Sequence, residues 1–370
     1  MTARRKLLVV SPSLGEGGAQ RVASTLLGHL PRERFDIELC LFKNVIEFAM
    51  PSEIPVTSLL DRDVSLGRKP WLVPGALFRL RSAIASFDPD VVLSVIDQAN
   101  LVVAAALVGI KRCRFVGRAG ANPANQSRTQ QLLAALAYRM TDAIVANAAG
   151  LAKGLNRRYG GLEHKVVHLP NPIDFERIDA LASEPPARTH DGSRPLIIFV
   201  GRLVAEKRLD VLIEAAAALR QRRDFELWIC GGGPLTGAVR SQIRALGLER
   251  DVALLGFCDN PYSLCRQADA FVMTSDSEGL PNGLIEAQGL GLPAVATDCD
   301  YGPSEIIEHG STGFLAPVDD AAAIADRLDA LIADASARTE MGRAAGRRAR
   351  SLYGVDVLIE RWQRLLEGVD

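Results

Sequence analysis

Two glutamates and two cations carry the most informative chemistry of this chain. Glu278 and Glu286 stand with seven residues between them, at the start of a predicted helix. A carboxylate accepts hydrogen bonds from two hydroxyls, such as those of a ribose or hexose diol. Arg202 and Lys207 follow a predicted buried strand, and both side-chain types bind phosphate oxygens. Together they predict a site where cations hold a diphosphate and carboxylates hold sugar hydroxyls.

The segment between the glutamates predicts a helix start that a ligand can approach closely. Gly279 lets the backbone come near a ligand, and Pro281 suits the first helical position because no N–H is needed there. The N–H groups at such a start bind phosphates or hydroxyls. The alternative is that Glu278 only complements the helix dipole and that Glu286 is a solvated helix residue.

Two glycine-rich loops follow predicted strands, one in each half of the chain. Gly15, Gly17 and Gly18 lie between the first strand and the first helix, where the backbone can approach a phosphate or an acceptor. This loop does not match the dinucleotide-binding pattern GxGxxG. Residues 231–233 end a later strand, and Gly233 is predicted to line a nucleotide pocket. A tight turn before a helix is an equally good interpretation of this second loop.

Length and charge indicate a two-domain globular protein. The chain has 370 residues, of which 48% are apolar and 24% are charged. Its net charge of −1 does not indicate a nucleic-acid-binding protein. Residues 1–180 hold 23 Lys and Arg against 16 Asp and Glu. This basic half predicts contact with anionic lipid head groups or a phosphate-bearing acceptor, and ordinary solubility charge is the alternative.

Short apolar runs alternate with helix-length segments, which predicts parallel sheets of βαβ units. The polar stretch 184–193 interrupts this pattern as a linker would. We therefore predict an α/β fold with two Rossmann-like domains. The expected boundaries are an N-terminal domain at 1–178, a linker at 179–195, a C-terminal domain at 196–353 and a last helix at 354–370.

Cysteine, histidine and aspartate patterns predict no metal and no cofactor. The six cysteines form no CxxC pair, and we interpret them as reduced thiols. His164 and His168 have metal-ligand spacing for a helix, but their neighbours predict a strand. Asp-x-Asp strings occur at residues 61–63, 88–90 and 298–300, which is often enough for chance to explain them. The chain also lacks GxSxG, HExxH and P-loop motifs.

The apolar segments are too short to cross a membrane. The longest apolar run, residues 101–110, is about half the length that a spanning helix needs. The apolar stretch near the N-terminus is too short for the core of a signal peptide. We expect a cytoplasmic protein whose only membrane contact is peripheral, on the inner face of the cytoplasmic membrane.

The motifs together resemble glycosyltransferase family 4, whose members are retaining transferases with the two-domain GT-B fold. The resemblance covers essentially the whole chain. It rests on Gly17-Gly18-Ala19-Gln20-Arg21, Pro170-Asn171-Pro172-Ile173-Asp174, Val200-Gly201-Arg202-Leu203 with Lys207, and Glu278 to Glu286. It implies two Rossmann-like domains that face a central cleft, with a final helix around residues 358–366 that crosses back to the N-terminal domain.

The resemblance also implies roles for the matching residues. Arg202, Lys207 and Glu278 would be catalytic, with the cations on the donor diphosphate and Glu278 facing the transferred sugar. Glu286 would bind the ribose, and the backbone near Phe257 would meet the base. The implied donor-binding set is Gly17, Gly18, Gly233, Phe257, Gly279, Leu280, Pro281, Asn282 and Glu286.

The acceptor side departs from the family pattern. Many relatives place a histidine near the reacting sugar, whereas the comparable stretch of this chain, residues 115–123, has Arg118 and no histidine. Arg118 and Gly15 would contact the acceptor or a phosphate. Residues 299–306 resemble bacterial transferases that build surface polysaccharides or lipid-linked oligosaccharides. This likeness implies a glycan acceptor carried on a lipid diphosphate.

The function expected from these features is metal-independent, retaining transfer of a hexose or N-acetylhexosamine from a nucleotide sugar, UDP-linked, to a glycan. A UDP-sugar 2-epimerase of GT-B architecture is the alternative. It should carry more titratable groups in its cleft, and five histidines in the chain speak against it. A non-catalytic sugar-nucleotide-binding partner is a third possibility, which the intact set of two cations and two glutamates disfavours.

Overall fold

The computed structural model describes residues 4–15, 17–60, 72–110, 113–120, 122–123 and 126–369. The chain divides into two compact units. The first unit ends at Ile173 and resumes at Val355, and the second is Asp174–Gly354. The chain therefore leaves its first unit once and returns to it near the C-terminus.

A parallel sheet, seven-stranded over the described residues, forms the first unit. Leu7 and Val9 of its central strand belong to one apolar cluster, and Leu8 and Val10 to another, because successive side chains of a strand point to opposite faces. A sheet covered on both faces is what continuous apolar runs predict. The strands are β1 (Arg5–Ser11), β2 (Phe35–Lys43), β3 (Val56–Leu60), β4 (Val91–Ser94), β5 (Arg114–Ala119), β6 (Ala143–Ala146) and β7 (Val166–His168), in the order β3-β2-β1-β4-β5-β6-β7.

Helices connect these strands and cover the sheet. Residues of α2, α3 and α4 share the apolar cluster that contains Leu8, whereas α1 packs in the cluster that contains Leu7. Helix α4 begins with a capping box in which the side chains of Ser127 and Gln130 each accept a hydrogen bond from the other residue's backbone N–H. The helices are α1 (Gly18–His29), α2 (Val73–Phe87), α3 (Asp97–Leu107), α4 (Arg128–Met140) and α5 (Ala149–Tyr159).

The second unit contains a parallel sheet that has six strands over the described residues. Its strands are β8 (Leu196–Val200), β9 (Glu226–Cys230), β10 (Val252–Gly256), β11 (Ala270–Met273), β12 (Ala294–Thr297) and β13 (Gly313–Ala316), in the order β10-β9-β8-β11-β12-β13. Its helices are α6 (Phe175–Ala182), α7 (Leu209–Arg220), α8 (Thr236–Ala245), α9 (Tyr262–Cys265), α10 (Asn282–Gly289), α11 (Pro303–Ile306), α12 (Ala321–Ala333) and α13 (Ala335–Tyr353).

The strand order of the second sheet reverses between β8 and β11. From β8 the chain builds outward through β9 and β10, and it then returns to build outward on the other side through β12 and β13. Open α/β sheets bind ligands beyond the carboxyl ends of their strands at such a reversal. The loops after β8 and β11, which carry the predicted cations and Glu278, therefore lie side by side at the expected binding edge.

The last helix, α14 (Val355–Glu367), belongs to the first unit. Leu358 and Trp362 of α14 lie in the same buried cluster as Val22 and Leu26 of α1. The prediction that the C-terminal helix crosses back to the N-terminal domain is confirmed. Its apolar face faces α1, and this packing explains why a helix so far along the chain is part of the first core.

Some expectations meet a different local structure. Helix α6 extends through Ala182, so the first residues of the expected linker at 179–195 are helical. Cys230 and Cys258 are joined as a disulfide with their Cα atoms 6.1 Å apart. The prediction of six reduced thiols is therefore wrong for this pair.

Residues 61–63, the first Asp-x-Asp string, lie outside the described residues. Among the described residues, no helix has the length and apolarity needed to cross a membrane.

Candidate active site

Lys207 and Glu278 form an ion pair at the carboxyl edge of the second sheet. Lys207 ends a short 3-10 turn after β8, and Glu278 lies in the loop after β11. The exposed fraction of the side chain is 22% for Lys207 and 12% for Glu278. The Ser275 hydroxyl donates to the same Glu278 oxygen, Oε1, over 2.7 Å. The structure thus joins a predicted phosphate-binding cation to the predicted sugar-binding carboxylate.

Arg202 is the exposed member of the predicted cation pair. It follows Gly201, and a Cβ placed on Gly201 would lie 3.9 Å from Lys207 Cε, so the two cations emerge from one short stretch of surface. The guanidinium of Arg202 is open to an incoming anion. Lys207, in contrast, starts from a half-buried ion pair and must exchange or share its partner when an anion binds.

Buried hydroxyls hold the two loops together. Thr274 Oγ1 donates to the carbonyl oxygens of Lys207 and Arg208, over 2.8 and 3.1 Å. Thr297 Oγ1 donates in turn to the carbonyl oxygen of Ser275. Thr274, Ser275 and Thr297 are completely buried. They were missed by sequence reasoning, because single serines and threonines after a strand are too common to single out a site.

The start of α10 is clamped by the loop after β12. Pro281 is the N-cap, and the helix begins at Asn282, one residue later than the Pro281 start that the sequence suggested. Gly302 has φ of 95°, and a Cβ there would come within 2.6 Å of Pro281 Cδ and 3.0 Å of the Gly279 carbonyl oxygen. Leu280, Pro281 and Asn282 are buried. Close packing therefore fixes the backbone that is predicted to contact the donor.

Glu286 lies one turn into α10 and is buried, with 6% of its surface exposed. The alternative that it is a solvated helix residue is wrong. The neighbouring thiol of Cys265 has a pKa raised to about 12. Burial is the larger cause, and the negative charge of Glu286 is the second. A buried carboxylate at this position is placed for a directed interaction rather than for solubility.

The glycines after β9 permit two loops to approach closely. A Cβ on Gly231 would lie 1.8 Å from the carbonyl oxygen of Gly201, and one on Gly233 would lie 2.5 Å from that of Leu203. Leu203 N–H also donates to the Gly232 carbonyl over 2.9 Å. A packing requirement thus accounts for these glycines. Gly233 is exposed, and its contact with a donor stays a prediction.

Phe257 is an open aromatic side chain just after β10, with 68% of its surface exposed. The preceding Gly256, with φ of 75°, accepts a 2.6 Å hydrogen bond from Gly231 N–H. The following Cys258 is joined to Cys230 at the end of β9. Phe257 is therefore held at the end of two adjacent strands, where an aromatic ring offers a flat surface for a base.

The glycine loop of the first unit leads from β1 into α1. Gly15 is buried, and a Cβ there would lie 3.1 Å from Val45 Cγ1. Gly17 is the N-cap of α1 with φ of 128°, a conformation that favours glycine, and Gly18 is the first helical residue. Gly17 and Gly18 are exposed. Their roles toward a donor, and that of Gly15 toward an acceptor, stay predictions.

Arg118 is buried at the carboxyl end of β5, with 2% of its surface exposed. Its guanidinium donates to the Val95 carbonyl over 3.2 Å and to Asn171 Oδ1 over 2.6 Å. Desolvation lowers its pKa to about 10, and the charge of Asp97 opposes that shift. Asp97 in turn accepts a 2.5 Å hydrogen bond from the Tyr138 hydroxyl. Arg118 thus ties strand ends together, and its contact with a phosphate stays a prediction.

Two family models match this chain in succession. The model described as Glycosyltransferase Family 4 matches residues 16–177, and the model described as Glycosyl transferases group 1 matches residues 183–348. Between them they cover both structural units. The second match contains Arg202, Lys207, the loop that carries Glu278 and the start of α10.

Curated relatives match over nearly the full length. The chain is 27% identical to the N-acetylgalactosamine-N,N'-diacetylbacillosaminyl-diphospho-undecaprenol 4-alpha-N-acetylgalactosaminyltransferase of Campylobacter jejuni, covering 98% of this chain and 100% of the relative. It is 25% identical to a second alpha-1,4-N-acetyl-D-galactosaminyltransferase of the same organism, which acts on GalNAc-alpha-(1->4)-GalNAc-alpha-(1->3)-diNAcBac-PP-undecaprenol, covering 98% and 99%.

Solved structures share the fold. HepE of Anabaena in complex with UDP superposes with a TM-score of 0.81 at 23% identity, covering 99% of this chain and 100% of that one. The lipopolysaccharide outer core galactosyltransferase WaaB superposes with a TM-score of 0.76 at 18% identity, covering 98% and 99%.

Proposed function

Because the chain belongs to the group 1 glycosyltransferases of family 4, we propose that it transfers a sugar from UDP to a lipid-linked glycan. The chain has the GT-B fold that the sequence predicts. The transferred sugar is a hexose or an N-acetylhexosamine, and transfer proceeds with retention and without a metal. The observation that carries the proposal is the ion pair of Lys207 with Glu278 beside the strand-order reversal.

The cations act on the leaving group. As the bond from the sugar C1 to the diphosphate breaks, negative charge develops on the diphosphate oxygens. Arg202 is exposed, and Lys207 is held by a single ion pair with Glu278 that it can exchange for a phosphate. Both cations can therefore bind the negatively charged diphosphate from the loop after β8. Fixed donors aimed at developing charge lower the barrier most when they need little reorganisation. Ser275 and Thr274 supply that fixation.

The carboxylates and the helix start hold the rest of the donor. When the diphosphate engages Lys207, Glu278 turns to the hydroxyls of the transferred sugar. Glu286, which is buried on α10, accepts hydrogen bonds from the ribose hydroxyls. The N–H groups at the start of α10 point toward the same edge and favour negative or hydroxylated groups. Phe257 offers its exposed ring to the base.

Retention follows from attack on the face that the diphosphate leaves. The acceptor oxygen forms the new bond to C1 while the bond from C1 to the diphosphate breaks, and the proton of the acceptor hydroxyl passes to the departing phosphate. No protein nucleophile takes part. Glu278 Oε1 already accepts from Lys207 and Ser275, which suits it to orient the sugar rather than to attack it.

The relatives support a lipid-linked acceptor. Both Campylobacter jejuni enzymes are named for transfer of N-acetylgalactosamine to glycans on undecaprenyl diphosphate, and both match nearly the whole chain. Structures of HepE with UDP and with UDP-glucose support a UDP-linked donor. An acceptor of this kind would bring the protein to the inner face of the cytoplasmic membrane. The epimerase alternative finds no support among these relatives.

The test is UDP release by purified protein and by two alanine variants. We expect Lys207→Ala to lower turnover on the order of 10²-fold, because it removes charge stabilisation in the transition state. Arg222→Ala is the matched control, since Arg222 forms an exposed ion pair with Asp326 on α12 and lies outside the site. Near-normal turnover in Lys207→Ala would remove the basis of the assignment. Release of a free epimer instead of a glycoside would support the isomerase.

A further inference from the structure

Helix α4 exposes an apolar face that no described part of the first unit covers. Its buried residues, Ala134, Ala137 and Tyr138, pack toward the sheet. On the opposite side, large apolar side chains lie in water. They are Leu132, Leu133, Leu136 and Met140, with exposed fractions of 68%, 39%, 55% and 44%.

These four side chains form one continuous stripe. Residues of an α-helix are rotated by about 100° each, so Leu132, Leu136 and Met140 follow one another along the axis and Leu133 widens the stripe to about 100°. Arg128 and Arg139 project along one edge of it and are exposed. We name this surface, Leu132, Leu133, Leu136 and Met140 with the two arginines, the α4 face.

The surroundings of the α4 face are basic. Residues 128–161, which contain α4 and α5, hold five Lys and Arg and a single acidic residue, Asp142. The ring of Tyr138 on α4 lies 5.5 Å from that of Tyr159 on α5, so the C-terminal ends of the two helices meet at this contact. Arg158 of α5 donates a hydrogen bond to the side chain of Gln131 on α4, and Lys153 and Arg157 of α5 are exposed. The patch therefore combines an apolar stripe with positive charge.

We propose that the α4 face docks the first unit on an anionic lipid bilayer. The apolar stripe would lie at the boundary between head groups and acyl chains, and the cations would contact lipid phosphates. An amphipathic helix with apolar residues on one side and Arg or Lys at its edges binds such a surface. The proposal rests on the proposed function, because a lipid-linked acceptor requires the protein at the membrane.

The position of α4 fits this role. It follows β5 in the chain and begins on the carboxyl edge of the first sheet, which is where open α/β sheets take their ligands. A bilayer against α4 would therefore present its head groups near that edge. A protein partner would have to match five cations with acidic groups, whereas an anionic leaflet supplies negative charge everywhere.

The experiment is sedimentation of the full chain with vesicles. We expect the protein to bind vesicles of mixed phosphatidylcholine and phosphatidylglycerol, and to bind phosphatidylcholine alone on the order of tenfold more weakly or not at all. The double variant Leu132→Gln/Leu136→Gln should lose on the order of tenfold or more in binding to the mixed vesicles. Leu352→Gln, on α13 of the second unit, is the control, because Leu352 is also exposed, at 40%.

Activity on acceptor in detergent separates this proposal from the proposed function. The double variant should release UDP at the normal rate when the lipid-linked acceptor is in detergent, and its circular dichroism should match the parent. If the parent protein fails to bind anionic vesicles, or if the double variant binds as the parent does, the docking proposal is wrong even where transfer proceeds. A change of oligomeric state in the variant, without a change in vesicle binding, would assign the α4 face to a second copy of the chain instead.

Discussion

Replacing Ser275 by alanine removes one hydrogen bond and changes little else. The hydroxyl donates to Glu278 Oε1 over 2.7 Å, and Ser275 is completely buried. Lys207 stays on the same oxygen, so the carboxylate keeps its counter-charge and loses only one of two donors. Ser275→Ala therefore tests whether the orientation of Glu278, as distinct from its charge, matters for turnover.

A hydrogen bond to a charged group contributes about 1.5–3 kcal/mol. Since about 1.4 kcal/mol is a factor of ten in rate, complete loss of this orientation would cost roughly 10- to 100-fold. In the donor complex Glu278 also contacts the hydroxyls of the transferred sugar, which hold it in part, so we expect the lower end of this range, a fall in kcat/KM of about tenfold. The assay is initial UDP release at varied donor concentration, which separates kcat from KM.

The matched control is Ser241→Ala, because the Ser241 hydroxyl donates only to the Gly237 carbonyl on the exposed surface of α8. Ser241→Ala should leave kcat/KM unchanged. Normal kcat/KM in Ser275→Ala, with Lys207→Ala strongly impaired, would show that Glu278 does not need to be oriented. The assignment of Glu278 to the transferred sugar would then be wrong.

Three further results are expected. Glu286→Gln should raise KM for the UDP-sugar about tenfold with a smaller change in kcat, as steady-state kinetics would show. The reason is that the ribose contact stabilises the bound ground state and the transition state equally. Trp362→Ala should lower the free energy of unfolding by about 3–5 kcal/mol in a urea titration, since Trp362 is completely buried. Burial raises the pKa of the Cys265 thiol from 9.0 to about 12, so the folded chain keeps a proton that the unfolded chain loses and stability falls as pH rises across that range. Iodoacetamide at about pH 8.5 should therefore label Cys265 only after unfolding, as mass spectrometry would detect.

The backbone architecture could be predicted because it depends on patterns that repeat along the chain. Continuous apolar runs separated by helix-length segments predict buried parallel strands, and both sheets have them. The loops after β8 and β11 could be brought together by the same reasoning, because carboxyl ends of parallel strands share an edge. Burial of Glu286 could not be predicted, since helix periodicity alone does not say what covers a helix face.

Side-chain pairing could not be predicted, because it depends on distances between segments far apart in the chain. The contact of Lys207 with Glu278 joins residues 71 apart, and the Cys230–Cys258 disulfide joins residues 28 apart. Neither has a sequence signature. Arg118 was expected at an open phosphate site, and its burial depends on Asn171, which reaches it from beyond β7. The exposure of the α4 face could not be predicted, because four apolar residues on one side of a helix ordinarily indicate a buried face.

The most direct test of the central claim is UDP release by purified protein from a panel of UDP-sugars, with a detergent extract of bacterial lipid-linked intermediates and with EDTA present. We predict release that requires the acceptor, from one donor, and a glycolipid product that keeps the anomeric configuration of that donor. Inverted configuration, dependence on a divalent cation, or acceptor-independent release of a free sugar epimer would contradict the account.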